Sequence, residues 1–537
     1  MPTLLQGTIF ATLAVWLLLP IALLGLAGWS ARRATPQQVR RRWQVGQWIL
    51  MAAFIASALI GVLLMLDSLG LPTGLPQAAS PLGLYPDGLS VWMALLISFL
   101  GIVLLRYAEG YLEGDRGKAR FLPWCLVVLA SVMVLVFTHH LLVMLIAWVS
   151  VSIALHHLLT LYPERREAQQ AAWQKFIVSR LGDLALIAAI GLLYYHYGSF
   201  ELEVLLASAH TEQTGWVLQA ASVALALAAL CKCAQLPLHG WLMKVMEAPT
   251  PVSALLHAGV INLGGFIWLR LYPLFDGISV GHVLLVLVGG ATALVAVLTM
   301  LTQTSVKHAL AWSTCAQMGF MLFEIGLGAY TLALAHLLAH SLYKAHSFLA
   351  SGRTVKASSS SRLPLESLHQ RLGMAGGSAV LAAIVLMLWP GLVSHHPVLG
   401  ALLVIAVGGA LLGMPARLAI SQRIRLFIMA VALVPLYVLL HLLLAPALVE
   451  PVAAFDPLTG ILGGLILALL LGLVSVITLC PDHPQVRRWH QHFSYGLYID
   501  VMLQRWQARF KLSARNLHQP SVSASILNKH PAEGESL

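Results

Sequence analysis

The sequence predicts an all-α polytopic membrane protein of about 14–15 transmembrane helices, arranged as two inverted five-helix repeats with broken helices. Three observations predict it. The 537 residues are 59% hydrophobic and only 10% charged, with a mean hydropathy of +0.83, whereas soluble chains carry about 25% charged residues. Apolar runs of about 20 residues, enough to cross hydrocarbon as a helix, recur along almost the whole chain. They are too long for the roughly 10-residue alternating strands of a membrane barrel. Third, Lys and Arg gather in alternate loops, as the positive-inside rule requires.

In order, the runs are 7–29, 47–66, 88–107, 121–138, 140–161, 176–197, 216–236, 252–273, 282–301, 307–326, 329–349, 375–394, 398–414, 424–446 and 456–479. The first is expected to be a retained helix and not a signal peptide, because its leader MPTLLQGT lacks Lys and Arg and the positive charge follows it. Loops 30–46, 108–120, 162–175, 237–251, 302–306, 350–374 and 415–423, with the tail after Cys480, hold most of the basic residues. Loops 67–87, 198–215, 395–397 and 447–455 hold none. That alternation puts the amino terminus outside and the tail in the cytoplasm. The formal charge of +11 therefore reads as topology beside anionic lipid, not as nucleic-acid binding.

Two runs are interrupted, at Leu236-Pro237-Leu238 and at Trp389-Pro390-Gly391, the latter followed by His395 and His396. They are the seventh and twelfth runs, and a pair of broken helices five apart suggests inverted repeats. The chain then divides into amino-terminal helices (1–120), a first repeat (121–273), a second repeat (282–414), carboxy-terminal helices (424–479) and a basic amphipathic tail (480–537). In the tail, Tyr498, Met502, Trp506 and Phe510 recur every four residues, a pattern suited to an interfacial or partner-docking helix.

An ionised side chain at mid-membrane costs about 2.5–3.5 kcal/mol on insertion scales, so each asks for a reason. The candidates are Arg180, Asp183, Lys232, His239, Glu247, His257, Lys307, His308, His336, His340, Lys344 and His346. Arg180 and Asp183 stand at i, i+3 and can pair on one helix face, as a structural ion pair or as a tuning element. His336, His340 and Lys344 step by four and line one face, as a proton relay requires, since imidazole both accepts and donates. Lys232 sits deep in its run, beside the break. Lys307 begins a run, where snorkelling to the interface competes with a relay role. Lone histidines such as His346 are more often hydrogen-bonded packing residues than relays.

No enzyme motif competes. His139-His140 and His156-His157 are adjacent pairs on different helix faces, and His336-Leu-Leu-Ala-His340 lacks the acid of a zinc protease. Cys231-x-Cys233 lacks paired zinc spacing, and no phosphate or cofactor loop is present. Neither metal nor cofactor is expected in this chain.

The stretches KCAQLPLHGWLMKVMEAPTPVSALLHAGVINLGG (232–265), SVKHALAWSTCAQMGFMLFEIG (305–326), AHLLAHSLYKAHSFLASG (335–352) and QKFIVSRLGDLALI (174–187) resemble the antiporter-like subunits of respiratory complex I. Mrp-type sodium/proton antiporters and membrane-bound hydrogenases share these motifs. The resemblance covers roughly residues 90–415. It implies two inverted five-helix repeats and a central polar axis that passes protons. The broken-helix lysine falls on Lys232, the following histidine on His257, the central histidines on His336 and His340, and the central lysine on Lys344. Lys307 joins this relay, with Arg180, Asp183, Glu247 and His239 as tuning or gating groups.

Two departures matter. The complex I subunits carry a Trp-Glu pair in the fifth span, but here Val149 follows Trp148, and the second broken helix offers only His395 and His396. A stripped-down chain of this kind resembles a smaller branch of the family, the DabB-type membrane subunits of two-component inorganic-carbon accumulation systems. That resemblance implies a large cytoplasmic zinc partner of the DabA type, like a β-carbonic anhydrase, energised by proton or sodium flow through a multi-pass subunit of the bacterial inner membrane.

Overall fold

The computed structural model describes residues 2–69, 86–209, 215–275, 277, 279–352, 368–388, 397–412, 418–448, 456–479, 483–499 and 502. The described part of each of the fifteen expected apolar runs falls on a helix or a pair of helices. They are α1 (Pro2–Ser30), α2 (Pro36–Ser68), α3 (Gly88–Tyr111), α4 (Lys118–Phe137), α5 (Leu141–Leu159), α6 (Arg166–Tyr197), α8 (Trp216–Lys232), α10 with α11 (Thr250–Ala258, Leu263–Leu271), α12 (Val280–Thr302), α13 (Val306–Gly326), α14 (Tyr330–Leu349), α15 (Leu368–Met387), α16 (Pro397–Leu412), α17 with α18 (Ile420–Val431, Leu433–Leu444) and α19 (Pro457–Leu479). Short helices α7 (Leu202–Ala209), α9 (Gly240–Lys244) and α20 (Pro484–Ser494) complete the set. Among the described residues the one β-type contact is an isolated bridge between His140 and Glu201.

Ten of these segments are long and apolar enough to cross a membrane, and α8 and parts of α15 and α16 are shorter apolar helices. Helices α13 and α14 have spanning length, 21 and 20 residues, but carry the polar side chains that concern the site.

Helix boundaries run past the apolar runs because hydropathy marks hydrocarbon and not hydrogen bonding. Helix α2 begins at Pro36, where Thr35 and Gln38 form a capping box. Helix α6 begins at Arg166, ten residues before the run at 176, so Lys175 lies inside a helix and is buried. The segment 237–251, expected as a loop, is a further correction. It holds α9 and a 3-10 turn, Val245–Glu247, with Trp241, Leu242, Val245 and Met246 buried. Irregular backbone at such depth is tolerated where protein covers it. The second expected break, 389–391, and His395 and His396 lie outside the described residues.

The apolar core is one cluster running from Trp16 in α1 to Phe348 in α14. Helices α12 and α13 meet closely at Gly289 and Gly319. A Cβ on Gly319 would lie 2.7 Å from the Gly289 carbonyl oxygen, and one on Gly289 would lie 2.8 Å from that of Gly319. Small residues let helix backbones meet in membranes. A smaller cluster joins α15, α16, α17 and α18 through Ala382, Leu386, Val407, Leu411, Ala430 and Val434.

Candidate functional site

Helix α8 ends at Lys232, and the broken corner that follows is pinned on three sides. Cys233 Sγ donates to Ile261 O at 3.2 Å, Leu236 N donates to Thr292 Oγ1 at 3.1 Å, and Cys315 Sγ donates to Ala234 O at 3.4 Å. A second break, between α10 and α11, is closed by Asn262, whose Nδ2 reaches Ala258 O at 2.9 Å and Ser341 Oγ at 2.6 Å. Side chains thus satisfy backbone groups that a continuous helix would have paired.

Around Lys232 the structure assembles α5, α6 and α8. Lys232 Nζ donates to Ser152 Oγ at 3.1 Å and lies 4.0 Å from the centre of the Trp148 ring. Lys175 Nζ donates to the backbone oxygen of the same Ser152 at 2.8 Å. On its other side, Trp148 Nε1 donates to Asp183 Oδ1 at 2.9 Å. Arg180 Nη2 stands 2.6 Å from Asp183 Oδ2, a close ionic contact without hydrogen-bond alignment. Asp183 is therefore a carboxylate that shares the Trp148 indole with Lys232, where Val149 supplies none.

The second group joins α10, α13 and α14. Lys344 Nζ donates to Leu310 O at 3.0 Å. One turn along α14, His340 is fully buried, and one turn further His336 Nδ1 lies 3.0 Å from Glu324 Oε2, with its Nε2 2.7 Å from Gln317 Oε1. The His336 and His340 rings stand 6.3 Å apart. His257 stacks on Phe348, four residues along α14 from Lys344, with ring centres 4.4 Å apart. Among the described residues, neither ring nitrogen of His257 or His340 has a hydrogen-bond partner. Buried polar groups are normally paired, at a cost of about 1–3 kcal/mol when they are not.

Of the remaining expected residues, His239 is buried against Trp312, ring centres 5.0 Å apart. The backbone of Glu247 closes the 3-10 turn, and its side chain lies outside the described residues. The structure does not bring Lys307 to the buried line. It is exposed and rims a polar vestibule of about 500 Å³ with His308, Ser305, Arg165, Tyr162 and Asp115. Burial and the Asp115 carboxylate, which accepts from the Tyr162 hydroxyl at 2.7 Å, push that hydroxyl up to about 12.

Sequence reasoning passed over Lys175, Ser152, Glu324 and Gln317. Lys175 carried a legible signal, since Lys175, Ser179 and Asp183 step by four on the buried face of α6. It also passed over a cluster at the opposite end of the bundle. There Arg270 pairs with Asp87 and donates to Ser90 Oγ at 2.8 Å and Val136 O at 3.0 Å, while its Nη1 lies 2.9 Å from His139 Nε2. Burial works to raise the Asp87 carboxyl, but Arg270 and His139 hold it far below the ordinary carboxylate range. Burial lowers His139.

The fold and these buried groups define a polytopic helical membrane protein with ionisable side chains lined up inside the bundle. The chain belongs to the NADH:quinone oxidoreductase/Mrp antiporter transmembrane family, whose model matches residues 138–448, more than half of it. The model described as the complex I chain 5 amino terminus matches residues 75–122. Among curated relatives, "Probable inorganic carbon transporter subunit DabB" of Hydrogenovibrio crunogenus is 41% identical over 326 residues, 60% of this chain and 62% of that one. A protein of Halothiobacillus neapolitanus named as subunit DabB2 is 42% identical over 57% of each chain. NADH-quinone oxidoreductase subunit L of Escherichia coli is 36% identical over 50% of this chain and 45% of its own. The matches thus span about 60% or less of these relatives' lengths. Among solved structures, the Mrp complex of a Dietzia species shares the fold with a TM-score of 0.60 at 22% identity, over 95% of this chain and 61% of that one.

Proposed function

We propose that this chain is the cation-conducting membrane subunit of an inorganic-carbon uptake system, and that protons, with sodium ions as the alternative, move through it down their gradient. The observation that carries the proposal is the file Glu324, His336, His340 and Lys344. At 1.5 Å per residue, His336 and Lys344 are about 12 Å apart along α14, so the file follows the depth of the bundle. Glu324 is two residues from the end of α13 opposite the vestibule, and Lys344 bonds Leu310, three residues from Lys307 on the vestibule rim. A proton received at Glu324 and His336 passes through the imidazole of His340 to Lys344 Nζ, with His257 alongside. Lys232 and Lys175 form a second buried cationic group around Ser152, whose positive charge Asp183, itself paired with Arg180, offsets in part.

The relatives' names, as transporter subunits, support a hetero-complex, and the alternation of basic loops supports an amino terminus outside and a tail in the cytoplasm; the DabB resemblance adds the bacterial inner membrane and a DabA-like cytoplasmic partner. That partner would carry zinc and the hydration of carbon dioxide to bicarbonate, and this chain would itself catalyse nothing. The likeness to complex I subunit L and to the Mrp complex favours a second reading, a translocating subunit of a hydrogenase or multi-subunit exchanger. The neighbouring genes separate the two, one large zinc-site protein supporting the first and several small membrane proteins the second.

The test is growth in air of cells lacking carbonic anhydrase that express this chain with its partner. Lys344→Ala and Lys232→Ala should each abolish the growth that wild type restores, with the protein still present in the membrane. Rescue by both variants at the wild-type level would sink the conduction mechanism.

A further inference from the structure

The described part of the tail does not hang free. Helix α20 packs on α12 with Val486 buried, and Gln303 Nε2 donates to Ser494 O at 3.4 Å. Gly496, at φ +57°, lies so close to Trp312 that a Cβ there would stand 2.9 Å from the indole. Trp312 is the residue that packs on His239 beside the broken corner. Gln303 is in turn two residues from Ser305 on the vestibule rim. The docked tail and the vestibule are therefore neighbours on one face, joined by the α12–α13 turn.

That face has a distinctive chemistry. Its rim carries Arg165, Lys307 and His308. Among the described side chains that line it the acid is Asp115, with one oxygen accepting from Tyr162 and the other from Gly117 N at 2.6 Å. Beside it α20 exposes Arg488 and His492, one turn apart, with Trp489 36% and Tyr495 67% exposed. Interaction with anionic lipid accounts for scattered loop lysines. It does not account for a polar concavity of about 500 Å³ on the same face as the exposed rings of Trp489 and Tyr495, aromatic anchors of the kind that protein interfaces use.

We infer that the vestibule and helix α20 together form the docking surface for the cytoplasmic partner, and that the occupant is an acidic protein segment whose carboxylates enter the vestibule while the rings of Trp489 and Tyr495 pack against it. The partner's identity rests on the functional reading above; the surface does not. The contact from α20 through Gly496 and Trp312 to His239 then places partner binding within two side chains of the broken helix.

The test is co-purification of the partner from detergent extracts of co-expressing cells, together with binding of the purified subunit to phosphatidylglycerol vesicles. Lys307→Glu with Arg488→Glu should lower the recovered partner at least ten-fold, and Lys307→Arg with Arg488→Lys should retain it. A bifunctional maleimide cross-linker on Arg488→Cys should capture the partner, a readout that survives should the double reversal fold poorly. Full co-purification by the double reversal, with weakened vesicle binding or with no change at all, overturns the inference, as does a folded Arg488→Cys that never cross-links. Loss of growth in Lys344→Ala with the partner still bound would leave this surface standing, so the two proposals fail separately.

Discussion

At the residue scale, Trp148 and Asp183 answer what Val149 leaves open. Lys232 keeps a carboxylate nearby, but one supplied by α6 and set across an aromatic ring. Asp183→Asn retains an oxygen for the Trp148 indole to donate to and removes only the charge. In that variant, uptake of inorganic carbon by cells co-expressing the partner should fall about ten-fold, equivalent to ~1.4 kcal/mol. Val149→Glu added to it should restore part of the rate, because it returns a carboxylate beside Trp148. Wild-type uptake in Asp183→Asn alone would show that the acid is only structural.

At the element scale, the breaks and the close crossings place the site. Pro237 and the alternation of basic loops made the first break legible in sequence, as did the four-residue step of His336, His340 and Lys344. The second break of the site, at Gly259–Asn262, was not legible. Nothing in a continuous apolar run announces that Asn262 will turn inward to bond Ser341. The burial of 237–251 was hidden for the converse reason, because Lys244 and Glu247 made a covered segment look like a loop. The crossing of α12 and α13 gives a prediction of its own. Gly319→Leu must push the Gly289 backbone aside, and overpacking of this kind costs typically 1–3 kcal/mol. The thermal midpoint in detergent should drop by several degrees, while Gly376→Ala, which meets nothing within 4 Å and replaces a helix-interior glycine, should not lower it.

At the scale of the whole molecule, the fold class could be read from composition and run length alone. The partnerships between distant helices could not, since Lys175 with Ser152, Glu324 with His336 and Arg270 with Asp87 depend on which helices become neighbours. The last of these sets a pH dependence for the entire bundle. Asp87 binds its proton less readily folded than unfolded, so its contribution is complete above the ordinary value of 3.8 and is lost as pH falls below it. His139, lowered by burial from 6.5, adds stability that is complete above 6.5 and declines below it, by the same sign. The unfolding midpoint should therefore decrease on acidification from pH 7 and decrease again below about pH 4. Asp87→Asn should flatten the second fall, and a second fall of unchanged size would refute the assignment.

The indole between Lys232 and Asp183 has a consequence for what can travel there. Its face holds a cation at 4.0 Å and its edge a carboxylate at 2.9 Å, yet it is neither acid nor base at any physiological pH. It works as the dielectric of a small capacitor. Each plate feels the charge on the other, but the ring itself passes no proton between them. In the conduction proposed above, Asp183 would therefore act on Lys232 by its charge and not by proton transfer through the indole.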